Sequence, residues 1–295
     1  MPPSSASRPR IASLRRRFTR SESCDLGNRE GVFQQPARSI SATEREILRN
    51  LHIESRRYVA PIYWSSDPYD ANTVKNNGSC FAIEIDGLHL GVTAQHVVAA
   101  YLAARDMDSS TQLMIRNTPI DNWAERFIDG DEGLDLATFR LTAAEIEQIS
   151  FRPFVHTAQS WPPPPPKLGA TISMTGYPGI DRNVVDRRTV EFLGISHVVV
   201  VTNIDPDCLE IKMERNDLTN LDGTPIQSLE YDFGGFSGAP VLIESGNVGA
   251  LFRLGGLVIK QWPPGGSRDT TTILARRPDC IRPNGTFIRP NFTGR

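Results

Sequence analysis

Five consecutive prolines, at 162–166, constrain the fold more than any other segment of the chain. Proline has no backbone N–H and a fixed φ, so this run cannot lie in a helix or a central strand, and an extended polyproline conformation is expected. A proline-rich segment can also serve as a ligand for another domain, but its position near mid-chain favours a stiff linker. The sequence therefore predicts two halves that meet at residues 161–168.

Short strand-like segments separated by turn residues lie on both sides of this linker. Residues 80–85 and 88–93 flank Asp86-Gly87, a dipeptide typical of tight hairpin turns. The further predicted strands are 112–115, 134–141, 171–175, 189–201, 209–213, 239–243, 248–254 and 257–261. Many short strands in two groups, with little helix, predict an all-β sandwich or barrel architecture.

Two short helices are predicted from capping boxes, in which a hydroxyl caps the backbone and a Glu three residues later reaches back. Ser41 and Glu44 have this spacing before a segment that extends to Leu51, and Thr142 and Glu145 have it before a segment that extends to Ile149.

Composition excludes several classes of protein. The chain has 295 residues and a formal net charge of −2, so no overall field favours nucleic acid, and no nucleic-acid partner is expected. No apolar run is long enough to span a bilayer. Cys24, Cys80, Cys208 and Cys280 lack zinc-site spacing and are interpreted as reduced thiols, consistent with a cytoplasmic protein.

The N-terminal segment has no apolar core of a secretory signal, and its first acidic residue is Glu22. The basic residues before it are Arg8, Arg10, Arg15, Arg16, Arg17 and Arg20. A transit peptide or a nucleic-acid-binding arm has this composition too, but a disordered basic tail is the preferred interpretation.

A histidine lies at the end of an apolar predicted strand. Thr93-Ala94 ends the strand, and His96 follows at the start of a helical turn. A ring held at a strand end is rigid and can still face a cleft, as a general base requires. A purely structural histidine is the alternative for this motif alone.

Asp135 interrupts an apolar run at the start of another predicted strand. A buried carboxylate is costly unless it is paired, and a histidine N–H is a suitable partner that fixes the tautomer and stabilises the imidazolium. Asp131 is the nearest competitor for this role, in a hydrophilic loop, and an ordinary turn aspartate is the alternative.

Glycines surround the serine of a third motif. Gly235 and Gly238 allow a strained, tight turn around Ser237. In such a turn the N–H groups of Gly235 and Ser237 can converge beside the hydroxyl and form an oxyanion hole. A glycine-rich hairpin is the alternative.

These motifs, in the order His, Asp, Ser, resemble those of the chymotrypsin-like (trypsin-like) serine peptidases. The matching segments are Thr93-Ala94-Gln95-His96, Asp135-Leu136-Ala137 and Gly235-Phe236-Ser237-Gly238-Ala239-Pro240, and Thr175-Gly176-Tyr177-Pro178-Gly179 is similar to a Gly-Tyr-Pro segment common in bacterial members. The resemblance covers residues 58–262. It implies two six-stranded antiparallel β-barrels with the active site between them. It also implies a catalytic triad of His96, Asp135 and Ser237, an oxyanion hole at Gly235 and Ser237, and serine endopeptidase activity.

The resemblance also implies a division of the chain. A disordered tail at 1–45 precedes a first barrel at 46–160, which contains His96 and Asp135. After the linker at 161–168, the second barrel at 169–275 contains Ser237, and a C-terminal tail covers 276–295. A triad requires no metal and no organic cofactor, so none is expected. The expected partner is a protein or peptide substrate, and the oligomeric state stays open.

The chain departs from the family at two informative positions. Val97, not cysteine, follows His96, so Cys80 lacks its usual partner and is predicted to be a free, buried thiol. Phe236 replaces the acid with which trypsin-type zymogens pair a new N-terminal amine. Activation by that ion pair should be absent, and the turn should be preformed or ordered by a substrate or partner. The segment before Ser237, which contains Asp232, and residues 250–255, which contain Arg253, are expected to form the wall of the specificity pocket.

Two rival functions use the same residues. A catalytically silent peptidase-like domain would bind peptides or act as a scaffold, and an esterase would use the same triad on other acyl groups. The order His, Asp, Ser does not fit the α/β-hydrolases.

Overall fold

A computed structural model of the chain describes residues 41–67, 70–187, 189–214, 234–247, 250–262 and 270–289. The described strands form an eight-stranded sheet, a seven-stranded sheet and a two-stranded hairpin. The all-β class is confirmed. In the described residues, none of the helices combines the length and apolar character that crossing a bilayer would require.

The first sheet is built around one long strand. Its strands are β1 (Ala60–Ser65), β2 (Val74–Ile85), β3 (Leu88–Thr93), β4 (Gln112–Ile115), β5 (Thr118–Pro119), β6 (Phe127–Asp131), β7 (Leu136–Arg140) and β8 (Phe154–His156), in the order β5-β4-β1-β2-β3-β7-β6 with β8 beside β2. β2 pairs with β1 through one half and with β3 through the other. Asp86 and Gly87 join β2 to β3 with φ values of 47° and 81°, as a primed hairpin turn requires, which confirms the predicted hairpin.

The second sheet holds the strands that follow the proline run. Its strands are β9 (Thr171–Gly176), β12 (Ile195–Val200), β13 (Asn203–Ile204), β14 (Cys208–Glu214), β15 (Pro240–Asn247), β16 (Ala250–Trp262) and β17 (Thr270–Arg276), in the order β12-β9-β15-β16-β17-β14-β13. The hairpin of β10 (Arg182–Asp186) and β11 (Thr189–Phe192) is separate.

Several strand predictions need correction. The predicted strand 189–201 is two strands, β11 and β12, in different sheets, with Leu193 and Gly194 between them. From residue 250 onward, the predicted strand 248–254 falls on the same strand as the predicted strand 257–261, β16, which continues through Gly255; residues 248 and 249 lie outside the described residues. The register of β16 against β15 shifts there, and a Cβ on Gly255 would lie 2.6 Å from the Ile243 side chain, so close packing explains the glycine.

The strand count also differs from six in each half. In the described residues, short edge strands such as β5 and β13 bring the two sheets to eight and seven strands. The pairing of β8 with β2 is parallel, unlike the antiparallel pairing expected throughout.

Four α-helices accompany the sheets in the described chain: α1 (Ala42–Ser55), α2 (Gln95–Met107), α3 (Trp123–Arg126) and α4 (Ala143–Ile149). Both predicted capping boxes are present, at Ser41 with Glu44 and at Thr142 with Glu145. The helical turn expected at His96 is the start of a 13-residue helix, α2. Its apolar face packs into the core of the first sheet, which fixes the helix end that carries His96.

Although α1 precedes the first sheet, it is bonded to the second. The Thr175 hydroxyl on β9 donates to the Ser55 hydroxyl at 2.6 Å, and His52 Nδ1 lies 2.8 Å from the Ser196 hydroxyl on β12. α1 begins at Ala42, four residues before the predicted boundary at residue 46. A shared apolar cluster likewise contains residues of both sheets, among them Phe81 and Leu254.

Cys80 is a free thiol and is fully buried, as predicted. Burial raises its pKa far above the usual range, so it stays protonated. Cys208 and Cys280 are also free, and burial raises the pKa of Cys280 to about 12. Cys24 lies outside the described residues.

The segment after β17 falls in the predicted C-terminal tail, 276–295, but its described part packs on the first sheet. The Thr138 hydroxyl of β7 donates to Gly285 O at 2.6 Å. Arg289 donates to Asp129 and Asp131 at 2.6 and 2.8 Å. Phe287 is buried in the apolar cluster shared by the two sheets. Residues 278–289 are therefore part of the folded domain.

Replacing Phe287 by alanine should destabilise the protein, because the side chain is only 1% exposed and its removal leaves a cavity. We expect a loss of about 3–5 kcal/mol in the free energy of unfolding. Ile288, which is 48% exposed, provides the matched control, and Ile288→Ala should change stability by about 0.5 kcal/mol or less. Urea unfolding measures both, and equal effects would contradict the packing of this segment.

Candidate active site

His96 and Asp135 meet at the start of α2. His96 Nδ1 lies 2.8 Å from Asp135 Oδ2 and 3.0 Å from Oδ1, and the His96 backbone N–H donates to Oδ1 at 3.0 Å. One carboxylate therefore satisfies an otherwise unpaired amide at the helix start and orients the ring of the same residue. The side chain of His96 is 53% exposed and that of Asp135 24%, so the ring is open to solvent and the carboxylate lies behind it.

The Asp135 loop is held from several directions. Asp135 itself has a left-handed backbone, with φ of 54°. The Leu134 N–H donates to Asp131 Oδ1 at 2.8 Å, so Asp131 supports the loop, and Asp135, not Asp131, contacts His96. This strained conformation persists because the surrounding bonds fix it.

Arg276, at the end of β17, braces the same loop from the second sheet. Its guanidinium donates to Leu134 O at 3.0 Å and to Gly133 O at 3.2 Å, and it is paired with Asp207. The Arg276 side chain is only 6% exposed. A planar guanidinium provides the several donors that this arrangement needs, which an ammonium group could not supply in one plane.

Two glycines allow the turn that carries Ser237. Gly235 and Gly238 have φ of +100° and +90°. A Cβ on Gly235 would lie 2.5 Å from Tyr177 O, and one on Gly238 would lie 1.9 Å from Ser79 O. Only glycine fits either position, for both backbone and steric reasons.

Hydrogen bonds fix two peptide groups of this turn. Gly179 N–H donates to Gly234 O at 2.6 Å, and Ala239 N–H donates to Phe236 O at 2.9 Å. The N–H and C=O of a trans peptide point in opposite directions, so the amides of Gly235 and Ser237 point away from these two donors. Within the described part of the chain, neither amide donates to a protein acceptor.

The first sheet holds the serine turn through Ser79 of β2. Ser79 N–H donates to Ser237 O at 2.9 Å, and the Ser79 hydroxyl donates to Gly235 O at 2.7 Å. Tyr177 N–H donates to the same hydroxyl at 3.0 Å, and Asn77 Nδ2 donates to Tyr177 O at 2.7 Å. The Tyr-Pro-Gly segment is thus fastened to β2 beside the turn.

Phe236 anchors the turn inside the second sheet. It is 2% exposed, and its ring lies 5.7 Å from the His197 ring of β12, centroid to centroid. A Cβ on Gly176 would lie 2.9 Å from the Phe236 ring, so this aromatic side chain fills the space beside β9. The turn is already ordered by packing in this structure, without an ion pair at Phe236.

A cleft of about 460 Å³ lies between the start of α2 and the serine turn. His96 and Ser237 both line it, and so do Trp64, Asn76, Asn77, Val97, Ala100, Gly179, Gly234 and Gly235. No hydrogen bond joins the Ser237 hydroxyl to the His96 ring in the described structure. Catalytic hydrogen bonds are often long before substrate binds, so the shared cleft is the relevant observation.

The residues expected to form the specificity pocket lie away from this cleft or outside the described residues. Residues 250–255 do not line this cleft, and the Arg253 guanidinium donates instead to Pro164 O in the proline run. Asp232 lies outside the described residues.

Nowhere in the described ranges do three or more His, Cys, Asp or Glu side chains come together as metal ligands would.

Sequence reasoning missed Ser79, Asn77 and Arg276. None of the motifs around His96, Asp135 and Ser237 contains them, and each acts through a partner about 100 or more residues away. The Tyr-Pro-Gly segment could be picked out from the sequence, because it is similar to a segment of the peptidase family. In the structure it lies against the serine turn.

Comparisons with known proteins give only distant similarities. No protein-family model matches the chain, and no curated protein matches it. Among solved structures, one similar chain comes from a structure reporting that aromatic interactions drive the coupled folding and binding of the intrinsically disordered VPg protein of Sesbania mosaic virus. It is 14% identical, with a TM-score of 0.40, and the match covers 74% of this chain and 85% of that one.

A second similar structure is the scabies mite inactivated protease paralogue S-I1. It is 11% identical, with a TM-score of 0.42, and the match covers 77% of this chain and 91% of that one. Similarity at TM-scores below 0.5 does not bear on the activity of this chain.

Replacing Arg276 by methionine should destabilise the protein and disturb the Asp135 loop. The change leaves Gly133 O and Leu134 O without their donor and Asp207 without its cation. We expect a loss of roughly 2–4 kcal/mol in the free energy of unfolding. We also expect a weaker ¹H NMR signal from the proton that lies between His96 Nδ1 and the Asp135 carboxylate.

Arg276→Lys is the matched control, because it keeps the charge without the planar set of donors, and it should lie between wild type and Arg276→Met. An Arg276→Met protein that keeps the wild-type His96 proton signal would show that this bracing is not needed.

The stability of the protein should fall as the pH falls from about 6.5 to about 4, because burial lowers the pKa of His197 to about 4. The unfolded chain takes up a proton in that window and the folded protein does not, so protonation favours unfolding. The His197 contribution is up to about 3 kcal/mol. His197→Gln should flatten the curve of unfolding free energy between pH 6.5 and 4.5. Parallel wild-type and variant curves in urea unfolding would refute this assignment.

Proposed function

We propose that this protein is a serine endopeptidase that hydrolyses peptide bonds through a His-Asp-Ser triad and an acyl-enzyme intermediate. The observation that carries the proposal is the contact of His96 with Asp135 at the wall of a cleft that Ser237 also lines. A base, an orienting acid and a hydroxyl from distant parts of the chain share one site. This arrangement suits acyl transfer more than a purely structural role.

His96 is the general base in this mechanism. Its Nδ1 faces Asp135, which leaves Nε2 to take the proton of the Ser237 hydroxyl as that hydroxyl attacks the peptide carbonyl. Asp135 holds the tautomer and stabilises the imidazolium. His96 then protonates the leaving amine, and water hydrolyses the acyl-enzyme by the same base.

The amides of Gly235 and Ser237 are the proposed oxyanion hole. Both are unpaired in the described protein, and the peptide groups that carry them are held by the bonds to Gly179 and Ala239. Donors fixed before substrate arrives need no reorganisation when the oxyanion forms, which is the condition for effective stabilisation.

We also propose that the two sheets correspond to the two barrels of the chymotrypsin-like fold. His96 and Asp135 adjoin strands of the first sheet, and Ser237 precedes β15 of the second. The buried Phe236 supports a turn that is competent without zymogen cleavage, because packing takes the place of an ion pair.

Ser237→Ala should abolish both peptide hydrolysis and covalent reaction with a fluorophosphonate probe, since both need the hydroxyl nucleophile. We expect a fall of at least about 10³-fold in kcat for a labelled casein or peptide substrate. Ser110→Ala, at an exposed serine outside the cleft, is the control and should keep wild-type rates.

Three results would change the proposal. Hydrolysis by Ser237→Ala at the wild-type rate would remove Ser237 from the mechanism. A wild-type protein that binds peptides but reacts with neither substrate nor probe would be a silent binding module. A protein that reacts with the probe and cleaves esters but not peptides would be an esterase.

A further inference from the structure

A second cleft, of about 690 Å³, is lined by four arginines, Arg56, Arg57, Arg116 and Arg152. We call it the arginine cleft. Its other lining residues include one acid, Glu147, and the apolar side chains of Ile53, Pro61, Ile146, Phe151 and Phe192. None of the proposed catalytic residues lines it. Since the whole chain carries a formal charge of only −2, this concentration of positive charge is local.

The arginines come from three separate parts of the chain. Arg56 and Arg57 follow α1, Arg116 lies in the turn between β4 and β5, and Arg152 follows α4. Basic residues at a helix C-terminus stabilise the helix dipole, and that structural role accounts for Arg56 and Arg57. It does not account for Arg116, which reaches the same cleft from the first sheet.

Arg116 is fixed in place at the cleft wall. Its backbone is left-handed, with φ of 51°, and its N–H donates to Pro61 O at 3.0 Å. Its Nη2 donates to Arg56 O and Val59 O, both at 3.0 Å. These bonds use one nitrogen of the guanidinium, and the remaining N–H groups keep their capacity to bind an anion.

The charge of the other arginines is only partly neutralised. Glu54 pairs with both Arg57 and Arg152, at 3.4 and 3.5 Å. In the described part of the chain, Arg56 forms no ion pair with a carboxylate. Arg116 likewise forms no ion pair among the described residues, so Arg56 and Arg116 keep their positive charge at the cleft.

We propose that the arginine cleft binds an acidic segment of another polypeptide. Guanidinium groups pair with carboxylates in planar, directional contacts, so the surplus positive charge selects an anionic ligand. The apolar side chains between the arginines suit a peptide in which acidic and apolar residues alternate, and they would be of no use to a hydrated inorganic anion. The cleft volume of about 690 Å³ is in the range of ligand-binding sites in proteins.

The cleft adjoins the serine turn through Tyr177. Tyr177 lines the arginine cleft, and its backbone is hydrogen-bonded to the side chains of Ser79 and Asn77 beside the turn. A peptide bound there would contact a residue that supports the proposed active site. Binding itself does not depend on hydrolysis, so it can be tested on its own.

The test uses the full chain with Ser237→Ala, so that the probe is not cleaved. The probe is a fluorescein-labelled peptide in which glutamates alternate with leucines and phenylalanines, and its matched control carries glutamine in place of each glutamate. We expect fluorescence anisotropy to show binding of the acidic peptide at least about 10-fold tighter than the control, weakening as salt is raised. Equal binding of the two peptides, or binding of neither, would overturn the proposal.

Variants then locate the site. Arg56→Gln with Arg57→Gln should weaken binding of the acidic peptide by about 10-fold or more, since charged hydrogen bonds are lost. Arg140→Gln with Arg187→Gln, two exposed arginines that do not line the cleft, should have little effect. Equal losses in both pairs would indicate binding by general surface charge and would refute the assignment.

Competition identifies the kind of ligand. Inorganic phosphate should displace the peptide only by the ionic-strength effect that matched sodium chloride also produces. Full displacement by low phosphate, or by single-stranded RNA at lower concentration than the unlabelled acidic peptide, would assign the cleft to phosphate groups and overturn the peptide proposal. Circular dichroism confirms that each variant is folded, and the comparison of the two peptides needs no variant in the cleft.

Discussion

The hydrogen bonds of Ser79 are the constraint on which the proposed site depends. This residue belongs to β2 of the first sheet, and it binds the carbonyl oxygens of Gly235 and Ser237 in a turn of the second. Thr93, at the end of β3, donates to Ser79 O at 2.8 Å, so the strand that leads to His96 shares the same anchor. The positions of His96 and Ser237, the proposed base and nucleophile, are thus coupled through one buried residue, and neither sheet alone could define the cleft.

The second sheet in turn stabilises the Asp135 loop of the first sheet. Arg276 on β17 fixes the carbonyl groups of Gly133 and Leu134, next to Asp135. The apolar cluster that contains both Leu136 and Leu242 adds packing across the same boundary. Each sheet therefore presents side chains of the proposed active site on loops held by the other, which keeps irregular and strained backbone in one arrangement.

What the sequence could predict depends on the range of the interactions. The Asp86-Gly87 turn and the capping boxes at Ser41 and Thr142 follow from residues within three positions of each other, and all were foreseen. The pairing of His96 with Asp135 was foreseen because the motifs have a characteristic order. The Ser79 and Arg276 contacts span 156 and 142 residues, have no motif and depend on how the sheets meet. The single strand β16 was missed because Gly255 looks like a turn residue unless its close contact with Ile243 is known.

Tyr177 shows how a residue without chemistry of its own can shape two sites. Its backbone N–H and C=O are bonded to Ser79 and Asn77, while its hydroxyl reaches Val59 O at 3.5 Å beside the arginine cleft. A Cβ on Gly235 would strike Tyr177 O, so the position of this residue also sets how closely the serine turn approaches. Moving Tyr177 toward the turn would bring its carbonyl oxygen too close to the Gly235 backbone. Moving it outward would break its two buried hydrogen bonds, to Ser79 and Asn77. Tyr177 therefore connects the lining of the arginine cleft to the residues that hold the serine turn, so the packing of one site bears on the position of the other.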